Sequence, residues 1–322
     1  MLVTVIMPMR NAAPYVKEAI SSILQCHTIN IELLVIDDGS TDNSCEIVTA
    51  MADRRIRLLN GPRNGISNCL NVGIQEARGD YIMRCDADDR YPAGRIESQI
   101  AWLIDNPDAI AICGGFEMIN KSGDIIATPF SKYALEILNI TEELLSSVCR
   151  TSLCTFCIQA KVAKAMHGFR EFFETAEDID FSLRLAEMGK VYFNPQTTYH
   201  YRIHNESITH TQVSAKRIFF EETAKTFALQ RRSGGQDALQ AGTPPKPPVE
   251  ISRPSSARKH ILNLMIGSAW SHYEKRDFSL ASKLAGKFLI ENPMDFLAWR
   301  NFIFIFIKIF VENVSIFSKK KP

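Results

Sequence analysis

Three aspartates in the first third of the chain are the residues best suited to do chemistry. Residues 79–83 have the pattern of a buried strand that begins at a turn, and Asp86, Asp88 and Asp89 come directly after it. Like charges at one strand end repel each other unless a cation lies among them, and carboxylate oxygens suit Mg²⁺ or Mn²⁺ shared with substrate phosphates. The pair Asp86-x-Asp88 therefore predicts a site for a divalent metal and a diphosphate.

Two other interpretations of this acidic turn are a calcium loop and a solvated surface turn. A calcium loop that begins at Asp86 would use Asp88 and Glu97 as ligands, but Tyr91 occupies the position that requires glycine. The sequence thus excludes the calcium loop. The D-x-D motif is too short to exclude the solvated turn.

A second acidic pair, Asp37-Asp38, follows the apolar run of residues 31–36 and precedes Gly39-Ser40. One acid is enough to cap the helix that begins there. The other is at a strand end and could accept hydrogen bonds from a base N–H or from ribose hydroxyls. The pair predicts a ligand contact, with the helix cap as the alternative.

Short apolar runs alternate with segments of helical periodicity over residues 2–85. This alternation predicts an α/β fold with an open, mostly parallel sheet flanked by helices, in which ligands bind at the carboxyl ends of the strands. Neither a G-x-G-x-x-G nor a P-loop motif is present to hold a phosphate. The polar segments at the predicted strand ends are the loop after Pro8, Asp37-Asp38, Arg63-Asn64-Gly65 and Asp86-x-Asp88.

The composition excludes some classes of protein. The chain has 37 basic and 36 acidic residues and a formal net charge of +1, so we expect no nucleic-acid partner. Its N-terminus lacks a basic leader and a cleavage site, which predicts a cytoplasmic protein. The eight cysteines are scattered among apolar segments, and Cys154-x-x-Cys157 has no second ligand pair, so we assign it no metal.

Several segments together resemble the nucleotide-diphospho-sugar glycosyltransferases of family 2, which have the GT-A fold. The resemblance covers roughly residues 2–210. The segments that carry it stand in the family's order: Val5–Pro8 with Asn11, Val35–Asp42, Asn64–Ile66, Asn71–Gly73, Gly79–Ile82, Asp86–Asp89, Ala176–Phe181 with the helix after it, and Tyr201–His204.

The resemblance implies roles for individual residues. Asp38 would hold the base and ribose, Asp86 would lie near the ribose and the metal, Asp88 would coordinate Mn²⁺ or Mg²⁺, and Asp178 would be the catalytic base. The other positions expected to contact the nucleotide-sugar are Pro8, Asn11, Asp37, Asn64 and Gly65.

Spacing alone does not single out Asp178, because Glu177 and Asp180 beside it could equally be solvated or cap the following helix. A general base needs a raised pKa, which partial burial near other acids provides. We therefore predict Asp178 as the base, with Glu177 in a supporting role. Inversion at the anomeric carbon is the expected stereochemistry.

Residues 199–205 alternate like a strand, which places His200, Arg202 and His204 on one face. We predict that Arg202 meets the diphosphate and that His204 completes the metal shell. A purely structural role for the histidine is the alternative.

The sequence predicts three regions: a GT-A domain over 1–230, a Pro/Gly/Ser-rich linker over 231–258, and a helical extension over 259–322. The last apolar segment, residues 302–317, is interrupted by Lys308 and Glu312 and is too broken for a confident membrane span. It either packs or self-associates, or it lies at the inner face of a membrane.

The resulting hypothesis is an inverting, metal-dependent glycosyltransferase. It would move a sugar from a nucleotide-diphosphate donor to a saccharide or lipid-linked acceptor, in surface polysaccharide or glycan synthesis. The alternatives are a metal-dependent nucleotidyltransferase and a non-catalytic carbohydrate-binding or scaffold protein with the same fold.

Overall fold

A computed structural model describes residues 1–129, 136–203, 215–248, 266–270, 272–274, 276–291, 293–294 and 296–318. The chain divides into two compact units. The first comprises Met1–Phe116, Phe130–Tyr201 and Ser214–Ser252, and the second comprises Glu117–Pro129, Arg202–Val213 and Arg253–Pro322.

The strands and helices alternate in the first part of the chain, as the sequence predicts. The strands are β1 (Leu2–Met9), β2 (Asn30–Asp37), β3 (Ile56–Asn60), β4 (Tyr81–Arg84), β5 (Ala109–Ile119), β6 (Ile125–Ala127), β7 (Leu138–Asn139), β8 (Cys157–Gln159) and β9 (Lys190–Arg202). The helices are α1 (Val16–Leu24), α2 (Ser44–Ala50), α3 (Ile66–Glu76), α4 (Arg95–Asp105), α5 (Thr141–Leu145), α6 (Ala160–Ala165), α7 (Glu177–Ala186), α8 (Ala215–Gly234), α9 (Phe278–Glu291) and α10 (Phe296–Ser318).

One sheet contains all nine of these strands, in the order β3-β2-β1-β4-β8-β5-β9-β7, with β6 paired to β5. Its first half is parallel: β1 pairs with both β2 and β4, and β2 pairs with β3. β8 pairs antiparallel with both β4 and β5, and β7 pairs antiparallel with β9. The sheet is therefore mixed, and only its first half has the predicted parallel arrangement.

The core lies on both faces of this sheet. In β1, alternate residues Val3, Val5 and Met7 join one buried cluster, whereas Ile6 joins the other. A strand buried on both faces is mostly apolar, as β1 and β2 are. Their buried polar residues Thr4 and Glu32 satisfy each other, since the Thr4 hydroxyl donates to Glu32 Oε1 at 2.6 Å. Because β1, β2 and β4 are parallel, the loops after their carboxyl ends open at the same edge of the sheet.

Part of the predicted linker is packed. Asp237, only 1% exposed, forms ion pairs with Arg170 and Arg231, and Ala238 and Leu239 pack against Phe227 and its neighbours. The first unit therefore reaches beyond the boundary predicted at residue 230. Burial of a carboxylate between two arginines stabilises a segment whose composition alone predicts an open chain.

In the second unit, α9 and α10 pack through Ala281, Leu284, Ala285 and Ile305. Within the described ranges, no helix is both long and apolar enough to cross a bilayer.

Candidate active site

Asp37 and Asp38 lie at the carboxyl end of β2, and their carboxylates have different environments. Asp37 accepts backbone N–H bonds from Gly39 at 3.3 Å and from Ser40 at 3.1 Å, so it holds the turn that follows. Asp38 is 8% exposed and its Oδ2 accepts the Gly65 N–H at 3.2 Å. Asp37 thus serves the local structure, and Asp38 links two of the loops at this edge.

The second oxygen of Asp38, Oδ1, is buried and accepts no hydrogen bond from the described residues. The Cys69 thiol lies beside this carboxylate, and burial, followed by the interaction with Asp38, raises the pKa of Cys69 to about 12. A thiol is a weak donor. A buried carboxylate oxygen without a strong donor is costly, and a ligand N–H or O–H would satisfy it.

The other predicted nucleotide contacts belong to the same loops. Pro8 is in β1, opposite Ile36 of β2. Asn11 has a positive φ of 51°, and its Oδ1 accepts the Thr41 N–H at 2.8 Å, which ties the β1 loop to the β2 loop. Asn64 is exposed, and Gly65 adopts φ 90°, a conformation that favours glycine. Of these residues, Gly65 contacts Asp38 directly.

The loop after β4 carries Asp86 and Asp88, and Tyr199 of β9 fixes it. The Asp86 N–H donates to the Tyr199 hydroxyl at 3.0 Å, and that hydroxyl donates to Asp89 Oδ2 at 2.7 Å. Asp89 is 1% exposed, whereas Asp88 is half-buried. Asp89 is therefore a structural acid, and Asp86 and Asp88 are the acids nearer to solvent.

Arg84, the last residue of β4, joins the Asp86 loop to helix α7. Its Nε and Nη2 donate to the two oxygens of Asp86 at 2.7 and 3.0 Å. Its Nη1 lies 3.5 Å from Oε1 of Glu177, the first residue of α7. One guanidinium thus brings together two acidic motifs that are far apart in the sequence.

Glu177 is the titrating group of this cluster. It is 9% exposed, and burial raises its pKa from 4.5 to about 7. The charge of Asp178 raises the pKa further, and Arg84 opposes both effects. The raised pKa was predicted for Asp178 as the base, and the group for which the structure raises it is Glu177.

Asp178 and Asp180 have different surroundings although they are adjacent in the motif. Asp178 is half-buried, and its Oδ1 accepts the Ile179 N–H at 3.0 Å. Asp180 is fully buried and forms ion pairs with Arg170 and Arg184. These contacts assign Asp180 to the structure of α7 and leave Asp178 as the more accessible acid.

The carboxylates of this loop fit a divalent ion that is shared with a substrate. No group of three or more histidine, cysteine or acidic side chains lies close enough to hold a metal within the described residues. Mg²⁺ is usually held by one or two carboxylates together with substrate phosphates and water. Asp88 fits that donor set, with Asp86 beside it held by Arg84. His204, the third predicted ligand, lies outside the described residues.

Arg202, which the sequence predicts to meet the diphosphate, is buried and hydrogen-bonded to backbone carbonyls. It belongs to the second unit, is 1% exposed, and donates from Nη1 to the carbonyl oxygens of Asn120 at 3.1 Å and Lys121 at 2.9 Å. These two hydrogen bonds hold the guanidinium of Arg202 in its buried position.

Sequence reasoning missed Arg84 and Tyr199. Arg84 interrupts the apolar run of β4 just before the acidic motif, and a cation at that position is the signal that could have identified it. Tyr199 has no comparable signal, because its partners Asp86 and Asp89 lie on a distant part of the chain.

Comparison with known sequences matches this chain to a glycosyltransferase family and to individual proteins. The model of "Glycosyl transferase family 2" matches residues 4–156. An uncharacterized glycosyltransferase of Rickettsia typhi is 32% identical over 218 residues, which cover 66% of this chain and 67% of that protein. A chondroitin synthase of Pasteurella multocida is 26% identical over 225 residues, covering 68% of this chain and 22% of the synthase.

The relatives differ in length from this chain. Two Rickettsia glycosyltransferases, each 31% identical, are matched over 35% and 34% of their length. The chain thus spans about a third of these curated relatives.

Among solved structures, S. aureus TarS 1-349 in complex with UDP-GlcNAc superposes with a TM-score of 0.60. It is 16% identical, and the match covers 90% of this chain and 81% of that one. The likeness confirms the predicted α/β GT-A fold class.

Proposed function

The chain belongs to glycosyl transferase family 2, and on that basis we propose that it is an inverting glycosyltransferase. It moves a sugar from a nucleoside diphosphate donor to a hydroxyl of a saccharide or lipid-linked acceptor. The single observation that best supports this role is the Arg84 bridge. It brings the Asp86 loop, suited to the donor diphosphate, to the Glu177-Asp178 pair, suited to an acceptor hydroxyl.

The donor nucleoside binds at Asp38. Its buried Oδ1, which accepts no hydrogen bond from the part of the chain that the structure describes, is suited to a base N–H or a ribose hydroxyl, and the Gly65 loop contacts the other oxygen. The solved TarS complex contains UDP-GlcNAc, which makes UDP-sugars the first donors to test. The Pasteurella relatives named chondroitin synthase and hyaluronan synthase favour a role in polysaccharide synthesis.

Asp178 takes the proton from the acceptor hydroxyl. The acceptor oxygen then forms a bond to the anomeric carbon as the bond from that carbon to the diphosphate oxygen breaks, and the nucleoside diphosphate leaves with the electron pair. Attack opposite the leaving group inverts the anomeric configuration. Glu177 holds a proton up to about pH 7, which reduces its repulsion with the charge of Asp178.

Asp88, with Asp86 beside it, would hold Mn²⁺ or Mg²⁺ together with the diphosphate. The ion would neutralise charge on the departing phosphate oxygens. Arg84 orients Asp86 by donating to both of its carboxylate oxygens, so the guanidinium and the ion would both contact the loop after β4.

The reaction is tested by incubating the purified full chain with nucleotide-sugars, Mn²⁺ and a panel of saccharide and lipid-linked acceptors. Release of nucleoside diphosphate in step with glycosylated product supports the proposal, whereas release of sugar 1-phosphate indicates nucleotidyl transfer. Asp178→Asn is expected to lower turnover by about 10²–10⁴-fold. Asp53→Asn, in a surface pair with Arg55 just before β3, is the matched control and should leave turnover unchanged. Full turnover by the Asp178 variant would contradict its role as base.

A further inference from the structure

Helix α10 exposes an unusual number of large apolar side chains. Phe310 is 69% exposed and Ile307 is 53% exposed. The other large exposed apolar residues of this helix are Phe296, Trp299, Ile303, Phe304, Phe306 and Val311. An apolar group of this size seldom faces water on a soluble protein without a partner.

The exposed residues lie on one side of the helix. Ala298, Asn301 and Ile305 are buried and follow the spacing of a single helical stripe, and the cluster around Ile305 includes Leu284 of α9. Residues 303, 307 and 310 lie on the opposite side, at the same spacing. One stripe of α10 thus packs inside the second unit, whereas the apolar side chains of the opposite stripe are exposed.

The charge at this end of the chain is positive. Residues 296–322 contain five basic side chains and one acidic side chain, whereas the whole chain has a net charge of only +1. Arg300 is exposed on α10, and the sequence after the helix reads Lys319-Lys320-Lys321. The Lys308 ammonium lies over the rings of Trp270 and Tyr273, at 5.3 and 5.6 Å from their centroids.

We propose that the exposed face of α10, defined by Ile303, Ile307 and Phe310 with their neighbours, docks on an anionic phospholipid bilayer surface. Apolar side chains enter the boundary between headgroups and acyl chains, and the basic residues contact anionic headgroups. The helix lies along the surface, consistent with the finding that no described helix can cross a bilayer.

The charge favours a bilayer over a second copy of the chain. In a two-fold symmetric pair the same patch faces itself, so the basic residues of one copy, which the sequence concentrates in this segment, would be set against those of the other. That arrangement repels, whereas an anionic lipid surface attracts each of these residues by about 1 kcal/mol.

The test is flotation of the full chain with vesicles of phosphatidylcholine mixed with phosphatidylglycerol, beside vesicles of phosphatidylcholine alone. We expect binding to the mixed vesicles that falls as salt is raised. Changing Lys319, Lys320 and Lys321 together to Gln should lower the partition coefficient on the order of 100-fold. Ile307→Glu with Phe310→Glu should abolish binding, because both side chains are exposed and bury apolar area only in the bilayer.

The matched control is Ile218→Glu with Leu229→Glu, two residues of α8 that are 56% and 59% exposed, and it should bind like the wild type. Equal binding to neutral vesicles, or loss of binding in this control, would overturn the proposal. So would sedimentation velocity that shows a dimer dissociated by the Ile307/Phe310 variant without any vesicle binding. Vesicle binding is measured without donor or acceptor, so its outcome is independent of whether sugar transfer occurs.

Discussion

Glu177 is a buried carboxylate whose pKa lies far above that of an exposed glutamate. Burial disfavours its charged form, and the neighbouring Asp178 charge adds to this effect. The folded protein therefore binds a proton at Glu177 between pH 4.5 and about 7 that the unfolded chain has released. Across that interval the contribution of Glu177 to stability decreases as the pH rises.

We predict that Glu177→Gln removes this pH-dependent loss. Relative to the wild type, the free energy of unfolding of the variant should rise by up to about 3 kcal/mol between about pH 5 and about pH 8. Urea unfolding at both values measures the difference. A difference that stays constant across this range would show that Glu177 keeps an ordinary pKa in the folded protein.

Arg84 connects two acids that would otherwise be buried without a cation. We predict that Arg84→Met destabilises the protein by about 3–5 kcal/mol, because Asp86 and Glu177 lose their shared partner. It should also raise the pKa of Glu177, since Arg84 opposes that shift, and extend the pH-dependent loss of stability to higher pH.

The control for this variant is Arg150→Met, which breaks an exposed pair with Glu143 and should cost about 0–1 kcal/mol. An Arg84 variant that unfolds like the Arg150 variant and keeps the wild-type pH dependence of unfolding would contradict the bridging role.

The sequence identifies the acidic motif around Asp178 but does not determine the role of each acid in it. Its acids at positions 177, 178 and 180 look interchangeable in the sequence, because their difference depends on burial and on arginines elsewhere in the chain. The structure distinguishes them: Asp180 pairs with Arg170 and Arg184, and Glu177 faces Arg84. Arg84 was not predicted as a site residue, because its contact with Glu177 joins two motifs that are far apart in the sequence.

Helix α7 is held at its first turn by a network of buried ions. Arg170 bridges Asp180 of this helix and Asp237, which follows α8, and Arg231 also pairs with Asp237 at 2.6 Å. Both carboxylates are fully buried at their side chains. The position of the acids at the start of α7 therefore depends on contacts with the segment that follows α8.

We predict that Asp237→Ala destabilises the protein by about 3–5 kcal/mol, because Arg170 and Arg231 both lose this buried carboxylate as an ion-pair partner. Thermal and urea unfolding measure the loss. Glu143→Ala, which also removes one acid from an arginine pair but at the surface, should cost no more than about 1 kcal/mol. Similar losses for the two variants would show that the network around Asp237 does not support the fold.

The sequence predicts the strands and helices best in the first part of the chain, where a helix connects each strand to the next. The runs that form β1 to β4 are mostly apolar, and their alternation with helices gives the parallel half of the sheet. The antiparallel strand β8 is only three residues long and lies between β4 and β5, so its pairing depends on contacts that no local pattern contains. Asp237 was equally hidden, because it is in a segment with the composition of a linker.

The whole molecule combines an α/β unit that carries most of the predicted site residues with a second unit that contains α9 and α10. The family and the fold class could be predicted because ordered motifs extend over about two thirds of the chain. The sugar, base and acceptor could not, because loop side chains set those preferences on a shared fold.

The most direct measurement is the thermal unfolding of the full chain with a panel of nucleoside diphosphates, with and without Mn²⁺, for the wild type, Asp38→Asn and Asp88→Ala. We predict that one nucleotide, tested first as UDP, raises the Tm of the wild type chiefly when Mn²⁺ is present. Asp88→Ala should lose the dependence on metal, and Asp38→Asn should weaken the shift by several degrees at the same nucleotide concentration. A well-folded wild type that no nucleoside diphosphate stabilises, with or without metal, would contradict the proposed donor site.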